Sequence, residues 1–599
     1  MPLAATAVGG SQEAILGVDR SLCGKRWLLR PADDRLSAAL ARTLRVPDTI
    51  ARVLAARGVD TAMAADFCAP TLRRLLPDPR LLCDMIAASE RVATAVSNKE
   101  PITVFGDYDV DGATSSALLV RFFRSLGVDA AVYIPDRVKE GYGPNPTALR
   151  GLAATGCRLV ITVDCGTSAH AALAEGADAG LDVVVVDHHE VGQSLPEAVA
   201  VINPNRPDDT SGQGHLAAVG VAFMLIVEVN RRLREQGFFR TRAEPDLRQW
   251  LDLVALGTVC DMVPLRGVNR AFVMQGLKIM ARRGNAGLRA LADLIDVGHA
   301  PGPFELGFMF GPRINAGGRV GEAGLGARLL ATDDEAEARA SAERLNAFNK
   351  ERQCIEADVL AAAMDRVDIG AACQAPPLVL AAGEGWHPGV IGIVASRLAE
   401  RFARPSIVVS LNGEEGVGSG RSLPGLDLGA AVHAAVEQGL LIKGGGHPMA
   451  AGFTVARTRL DAFAAFLGAR LVPTGGDAMP PLYLDGTVGL VGGLPLLCAG
   501  LERLWPFGSD NPEPRFALSA ARIVATREFG QGHLRLTLAD PEGARLEAVA
   551  FRSRGTPLGE ALAEHAGAAY HIAGRLQHQI WRGNRRLQLL VEDAAPARA

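Results

Sequence analysis

No two of the nine cysteines in this 599-residue chain form a C-x-x-C pair. Their scatter excludes a zinc ribbon and a disulfide framework, and it points to free thiols in a reducing cytoplasm. Long apolar runs are missing too. None approaches the roughly 18 residues that span a bilayer, so no membrane association is expected. Met1 to Gly10 lacks a basic stretch followed by an apolar core, so a secretory signal is not expected. Nor is there an excess of basic charge. A net charge of -4 and a pI near 6.3 exclude a uniformly basic nucleic-acid binder, and any polyanion must be gripped by a local basic groove. Lysine is scarce beside arginine, which suits bidentate phosphate contact better. The length is too great for one core and predicts three or four domains.

The most informative stretch is Val104-Phe105-Gly106-Asp107-Tyr108-Asp109-Val110-Asp111-Gly112. An apolar run opens into three carboxylates at alternate positions. In an extended backbone, side chains at i, i+2 and i+4 share one side, so Asp107, Asp109 and Asp111 are expected to converge. Like charges that close repel unless a cation neutralises them, which implies a divalent metal site at the end of a strand. An EF-hand loop also begins D-x-D-x-D-G, but its twelfth position must be glutamate, and here it is Leu118.

Later segments repeat the pattern. Leu159 to Val163 ends in Asp164-Cys165-Gly166, and Asp182 to Val186 ends in Asp187-His188-His189. Leu251 to Cys260 leads into Asp261 and reads as a further apolar strand. In open α/β sheets the carboxyl edge is where ligands bind. Adjacent His188 and His189 in an extended segment point to opposite sides. His188 is therefore expected on a metal, and His189 towards the scissile phosphate or a second ion. Asp187 is a candidate to orient an imidazole, and a structural role for His189 stays open.

Asp-Tyr-Asp-Val-Asp-Gly, Val-Asp-Cys-Gly, Asp-His-His and the Asp261 region resemble the four motifs of the DHH phosphoesterases. Gly317-Gly318-Arg319, Trp386 to Gly392, Gly418 to Ser422 and Gly444 to Gly452 resemble the DHH-associated domain in its RecJ form. The resemblance covers roughly residues 80 to 595. It implies a metal-dependent exonuclease that hydrolyses single-stranded DNA 5′→3′ to 5′-mononucleotides in recombination and repair. A single-strand-binding protein and a helicase are the partners it suggests.

The expected fold class is α/β: two α/β domains joined by a long helix, plus a C-terminal OB-like β-barrel. The expected domains are a helical lead (1–80), a DHH catalytic domain with a parallel sheet (81–331), a connecting helix (332–368), a DHH-associated substrate-binding domain (369–470) and the barrel (475–599). Thr332-Asp333-Asp334-Glu335 reads as a capping box with Thr332 as N-cap. The helix after it would run to roughly 50 Å. Between Arg515 and Val591, 11 Arg face 6 Asp+Glu, so the barrel is the basic region. Trp505, Phe507, Phe516, Phe529 and Trp581 are its candidate stacking aromatics.

Hydrolysis of a phosphodiester needs a nucleophile, charge neutralisation and leaving-group stabilisation, and two divalent ions supply all three. Asp and His donors without thiolates favour Mn²⁺ or Mg²⁺ over zinc, with histidine favouring Mn²⁺. Asp109, Asp111, Asp164, His188 and Asp261 are the expected ligands, with Asp107 as a further one. His189 completes the catalytic set. Arg137, Arg319, Ser419, Arg421 and His447 are expected on substrate phosphates. Arg319 and the Ser419–Arg421 segment are read as Gly-rich turns, the latter able to form an anion nest. Two alternatives are a DHH phosphodiesterase for short oligonucleotides or cyclic dinucleotides, and a non-catalytic single-strand-binding scaffold.

Overall fold

The apolar runs that end in acids form the middle of a five-stranded, all-parallel sheet. Its strands lie in the order Ala130–Tyr133, Ile102–Gly106, Leu159–Val163, Asp182–Val186, Ala200–Ile202. The central strands are buried on both faces, as their unbroken apolar sequences require. On one face Phe105, Val160, Val183 and Val185 pack with Leu149 and Leu173 from the helices Pro146–Ala154 and His170–Asp178. Parity sends Val104, Ile161 and Val184 to the other face.

The computed structural model describes residues 13–137, 139–192, 194–298, 300–367, 377–471, 481–490, 494–540, 542–564, 567–581 and 584–597, with the backbone alone at 578–581 and 584–585. Among them, no helix is long and apolar enough to cross a membrane. The chain divides into two units, residues 78–261 with 275–476, and residues 1–77 with 262–274 and 477–599.

Two local readings are corrected at the parallel sheet and its edge. The strand stops at Gly106 and a helix begins at Val110, so the three acids do not lie on one continuous extended segment. Asp109 is the N-cap of the helix Val110–Ser125, its side chain accepting from Asp111 N and Gly112 N, and Asp111 lies in the first helical turn. A capping aspartate competes successfully with strand continuation because it satisfies helix N–H groups that otherwise lack partners. Leu251–Cys260 is a helix, not a strand. A ten-residue run buried on nearly every side has no period to read, so length was the better guide.

The second sheet of this unit runs Lys443–His447, Ala450–Ala456, Glu415–Arg421, Ser406–Asn412, Val379–Glu384, with only the last pair parallel. The segment read as a Gly-rich turn around Ser419 is therefore a strand. Its cross-strand pairing with Ala450–Ala456 and Ser406–Asn412 overrides its glycine content. Arg319 likewise stands in the last turn of the helix Gly311–Val320.

The long helix is Glu335–Arg366, 32 residues and about 48 Å. Asp334, not Thr332, caps it by accepting from Glu337 N, while the Thr332 hydroxyl accepts from Asp334 N one turn earlier. Ala338, Ala342, Leu345, Asn349, Arg352, Glu356, Val359 and Ala363 are buried four and three residues apart along one stripe, with Ser341 buried beside it. Val359 and Ala363 pack with Val394, Leu398 and Val408 of the second α/β domain. The middle of the stripe is ionic: buried Glu356 pairs with both Arg352 and Arg397.

In the other unit the strands Arg515–Phe529, His533–Ala539, Arg545–Ala550, Asn584–Pro596 and Ala569–Trp581 close into a barrel, because the first also pairs with the last. Strand order 1-2-3-5-4 with a helix, Pro557–Ala563, between strands three and four is OB topology. The N-terminal lead, read as helical, also contributes a strand. Arg26–Leu29 pairs in parallel with Pro481–Leu484, and Trp27 donates its indole N–H to Asp593 Oδ2 at 3.0 Å.

Replacing Glu356 with alanine leaves two guanidiniums without their shared carboxylate, one of them buried. The expected loss is about 3 kcal/mol of stability, read as a lower denaturant midpoint. A midpoint unchanged from wild type would contradict the assigned network.

Candidate metal centre

The carboxyl edge of the parallel sheet gathers the acids from four separate segments. His188 Nε2 lies 3.3 Å from Asp164 Oδ1, 3.6 Å from Asp261 Oδ2 and 3.9 Å from Asp111 Oδ2. Three overlapping groups have ligand atoms within 4.8 Å of one another: Asp107, Asp109 and Asp164; Asp111, His188 and Asp261; Asp164, His188 and His189. Asp164 and His188 each belong to two of them. Asp261 arrives as the C-cap of the buried helix Leu251–Cys260.

The backbone is shaped for this convergence. A Cβ on Gly112 would stand 2.4 Å from Asp107 O, and one on Gly257 would stand 2.9 Å from Asp111 Oδ1. Both glycines allow elements to close on the acids. Asp164 itself has φ of 61°, a left-handed conformation costing about 1–2 kcal/mol in a residue with a Cβ. Its carbonyl accepts from the Tyr142 hydroxyl at 2.9 Å, and its N–H donates to Val186 O at 3.0 Å. Asp111 accepts from Ala218 N and Val219 N at 2.6 and 2.9 Å, which aims the carboxylate from behind.

Electrostatics show what the pocket requires. Asp107, Asp111 and Asp164 are at most 3% exposed. Burial first, and the charge of Asp109 second, push Asp107 up to about 8 and Asp111 up to about 7. Asp164 and Asp261 are raised well above the carboxylate range by burial and by the neighbouring acids. Burial, then the charge of His189, lowers His188 to about 4, leaving a neutral imidazole suited to ligation. Asp107 Oδ1, Asp164 Oδ1, Asp261 Oδ2 and His188 Nε2 are buried without a hydrogen-bond partner. Orphaned oxygen and imidazole donors aimed at one volume fit divalent cations of the Mn²⁺ or Mg²⁺ kind, and the set contains no thiolate for zinc.

The two histidines do not point to opposite sides. They follow the strand end at Val186, where alternation no longer applies, and their rings lie 4.7 Å apart at 54°, both towards Asp164. Asp187 orients His189, not His188, through a 2.7 Å contact with Nδ1. Burial opposes the ionised form of each. The hydrogen bond and mutual attraction outweigh it, holding Asp187 below and His189 above their ordinary values.

The expected phosphate contacts come from both α/β domains. Arg137 lies over the ring of Tyr108, 4.9 Å from its centroid, between Asp107 and Asp109 in sequence. Arg319 donates to Gly389 O at 3.2 Å, and Arg421 donates to Ser419 Oγ at 3.1 Å. Burial lowers both Arg319 and Arg421, and the charge of Arg137 adds to the shift in each, so the three guanidiniums share one neighbourhood. Among the described residues, none of the three has an acidic ion-pair partner. Ser419 and Arg421, two apart on a strand, face one side. Exposed His447 stands with Nδ1 3.5 Å from Glu190 Oε2, beside the Asp187-His188-His189 loop.

In the barrel, Phe516 is fully buried and is core. Phe507 packs against that core, and Trp505 is half-buried. Phe529 leads an edge-on row with His533 and Phe551, ring centroids 5.3 Å apart at each step, and Arg535 covers Phe529. The side chain of Trp581 lies outside the described residues. His533 and Phe551 went unnoticed because their contacts depend on strand register: Phe529 pairs with His533 across one hairpin, and Phe551 follows the strand that pairs beside His533. Tyr142, also missed, sits in a glycine-flanked loop that offers no periodicity.

A parallel sheet delivering Asp, Asp and Asp-His-His to one edge, with arginines from both α/β domains, defines a metal-dependent phosphoesterase of the DHH type. Residues 101–258 match the DHH family N-terminal domain, residues 375–472 the DHHA1 domain, and residues 485–593 the RecJ OB domain. The chain belongs to the RecJ family. It is 37% identical over 578 residues to the single-stranded-DNA-specific exonuclease RecJ of Dickeya dadantii, covering 92% of this chain and 96% of that one. Its fold is similar to crystal structures of RecJ from Thermus thermophilus. The Mn²⁺ complex has a TM-score of 0.78 and 31% identity, covering 96% of this chain and 80% of that one. The Mg²⁺ complex has a TM-score of 0.73 and 29% identity, covering 96% and 78%.

A cation entering the pocket must displace protons from Asp107 and Asp111, which stand at about 8 and about 7. Raised carboxylates are neutral below those values, so Mn²⁺ affinity is expected to climb as pH rises through that range and to fall below it. Calorimetric titration in buffers of differing ionisation enthalpy reads both the affinity and the released protons. A pH-independent affinity with no proton release would contradict the electrostatics.

Proposed function

We propose that this chain is a divalent-cation-dependent exonuclease that hydrolyses single-stranded DNA 5′→3′, releasing 5′-mononucleotides in DNA recombination and repair. Its seat is the cytoplasm, where free thiols stay reduced. A single-strand-binding protein and a helicase are the partners whose chemistry would present the strand. Asp107, Asp109, Asp111, Asp164, His188 and Asp261 would hold two Mn²⁺ or Mg²⁺ ions. Bound divalent cations supply charge neutralisation and a nucleophile at neutral pH. His189, kept towards its protonated form by Asp187, donates to the phosphate oxygens.

The observation that carries the polarity is the arginine group. Three guanidiniums without acidic partners, beside a pocket of carboxylates, suit a terminal phosphate, which bears more charge than an internal one. Arg137, Arg319 and Arg421, with Ser419 and His447, hold that 5′-phosphate and so present the next phosphodiester to the acids. The barrel, whose sequence from Arg515 to Val591 carries 11 Arg and 6 Asp+Glu, adds a basic surface with the Phe529–His533–Phe551 row for unstacked bases. A short-oligonucleotide phosphodiesterase has no need of such a barrel, and a scaffold has no need of a complete ligand set.

Asp164→Ala is expected to lower kcat by more than about 1000-fold while single-strand binding stays within a few-fold of wild type. A 5′-phosphorylated strand should be degraded about 10–100-fold more efficiently than a 5′-hydroxyl strand, and Arg421→Ala should erase most of that difference. Strands blocked at either end, compared with a duplex and with EDTA present or absent, test the assignment. Equal digestion of 5′-blocked and 3′-blocked strands would overturn the polarity. Phe551→Ala should weaken single-strand binding about 10-fold without changing Mn²⁺ affinity, measured by fluorescence anisotropy.

A further inference from the structure

The edge strand Ala200–Ile202 continues into Asn203-Pro204-Asn205, residues with no part in the assignments above. Asn203 is fully buried. Its amide donates to His189 O at 2.9 Å and to Thr167 Oγ1 at 3.0 Å, and its oxygen accepts from Asn205 N at 2.8 Å. Asn205 in turn donates its side-chain amide to His188 O. Thr167 N donates to Asp187 Oδ2 at 3.0 Å, and Asp187 holds the His189 ring through its other oxygen. The backbone carbonyls of both adjacent histidines are thus tied down by side-chain amides. These carbonyls lie beyond the strand, where no ladder partner fixes the peptide planes.

We propose that Asn203 and Asn205 are positioning residues that clamp the two histidine peptides, so that both imidazoles stay aimed at Asp164. The inference rests on the metal-centre reading above. Only a carboxamide suits Asn203, since it must donate twice and accept once. Aspartate has the same shape but would set an acceptor against the His189 carbonyl, which can only accept. Asn205 is exposed and clamps from outside. Both residues act through the histidine backbone carbonyls and not through the ligand atoms. Their contribution is pre-organisation of the ligand set, of the kind whose loss costs about 10–100-fold in metal affinity.

The test uses the full chain as Asn203→Ala, Asn203→Asp and Asn205→Ala, with Asp164→Ala as reference. Free Mn²⁺ is titrated by electron paramagnetic resonance, alongside metal-free melting, kcat and KM for a 5′-phosphorylated single strand. The expected result is Mn²⁺ affinity about 10–100-fold weaker in each asparagine variant, kcat lowered and partly restored by excess Mn²⁺, and KM unchanged. Asn203→Asp should lose as much as Asn203→Ala, because the donors matter and the shape does not. If a buried Asn203 variant fails to fold, Asn205→Ala decides alone. Folded variants that bind Mn²⁺ as tightly as a wild type that itself binds Mn²⁺ and cleaves would overturn the clamp and leave the proposed function standing. A wild type that binds no Mn²⁺ would overturn both.

Discussion

Like charges drawn into one buried volume are the constraint around which this molecule is organised. At an effective dielectric near 20, two carboxylates about 4 Å apart repel by about 4 kcal/mol. The fold brings Asp107, Asp109, Asp111, Asp164 and Asp261 together regardless. It meets part of the cost from behind, through backbone N–H groups on Asp111 and a helix N-terminus at Asp109. It leaves the inward faces unsatisfied. Gly112, Gly257 and the left-handed Asp164 make sense only together with that arrangement, because each is a departure that lets backbone close around the acids.

The first α/β domain supplies concentrated negative charge together with Arg137 and Arg319, and the second adds Arg421 from its strand Glu415–Arg421. The long helix carries one buried stripe from Ala338 to Ala363 along about 48 Å, through both hydrophobic packing and the Arg352–Glu356–Arg397 group. A pocket of carboxylates and a group of guanidiniums are thereby held in one unit. The near-neutral composition conceals this, since opposite local fields cancel in the total of -4.

Much of this was legible in the chain itself. Three of the acid-terminated apolar runs were strands of a parallel sheet, because a run of β-branched residues bounded by turn signals has few other uses. The fourth was a helix, since an apolar run buried all round loses its period. The glycine-rich Gly418–Arg421 segment read as a turn, yet pairing on both sides makes it a strand. The strand Arg26–Leu29 could not be paired in advance, because its partner begins at Pro481 and nothing local records so distant a register.

The types of residue that do the chemistry, their order, and the sheet edge that carries most of them were determined by the sequence alone, since donor chemistry and strand patterning are local properties. Where each side chain points was decided only by the tertiary structure. Asp109 turned into a cap, His188 and His189 turned to the same side, and three distant arginines came together. Aim depends on peptide planes and packing partners hundreds of residues apart, which no local pattern encodes.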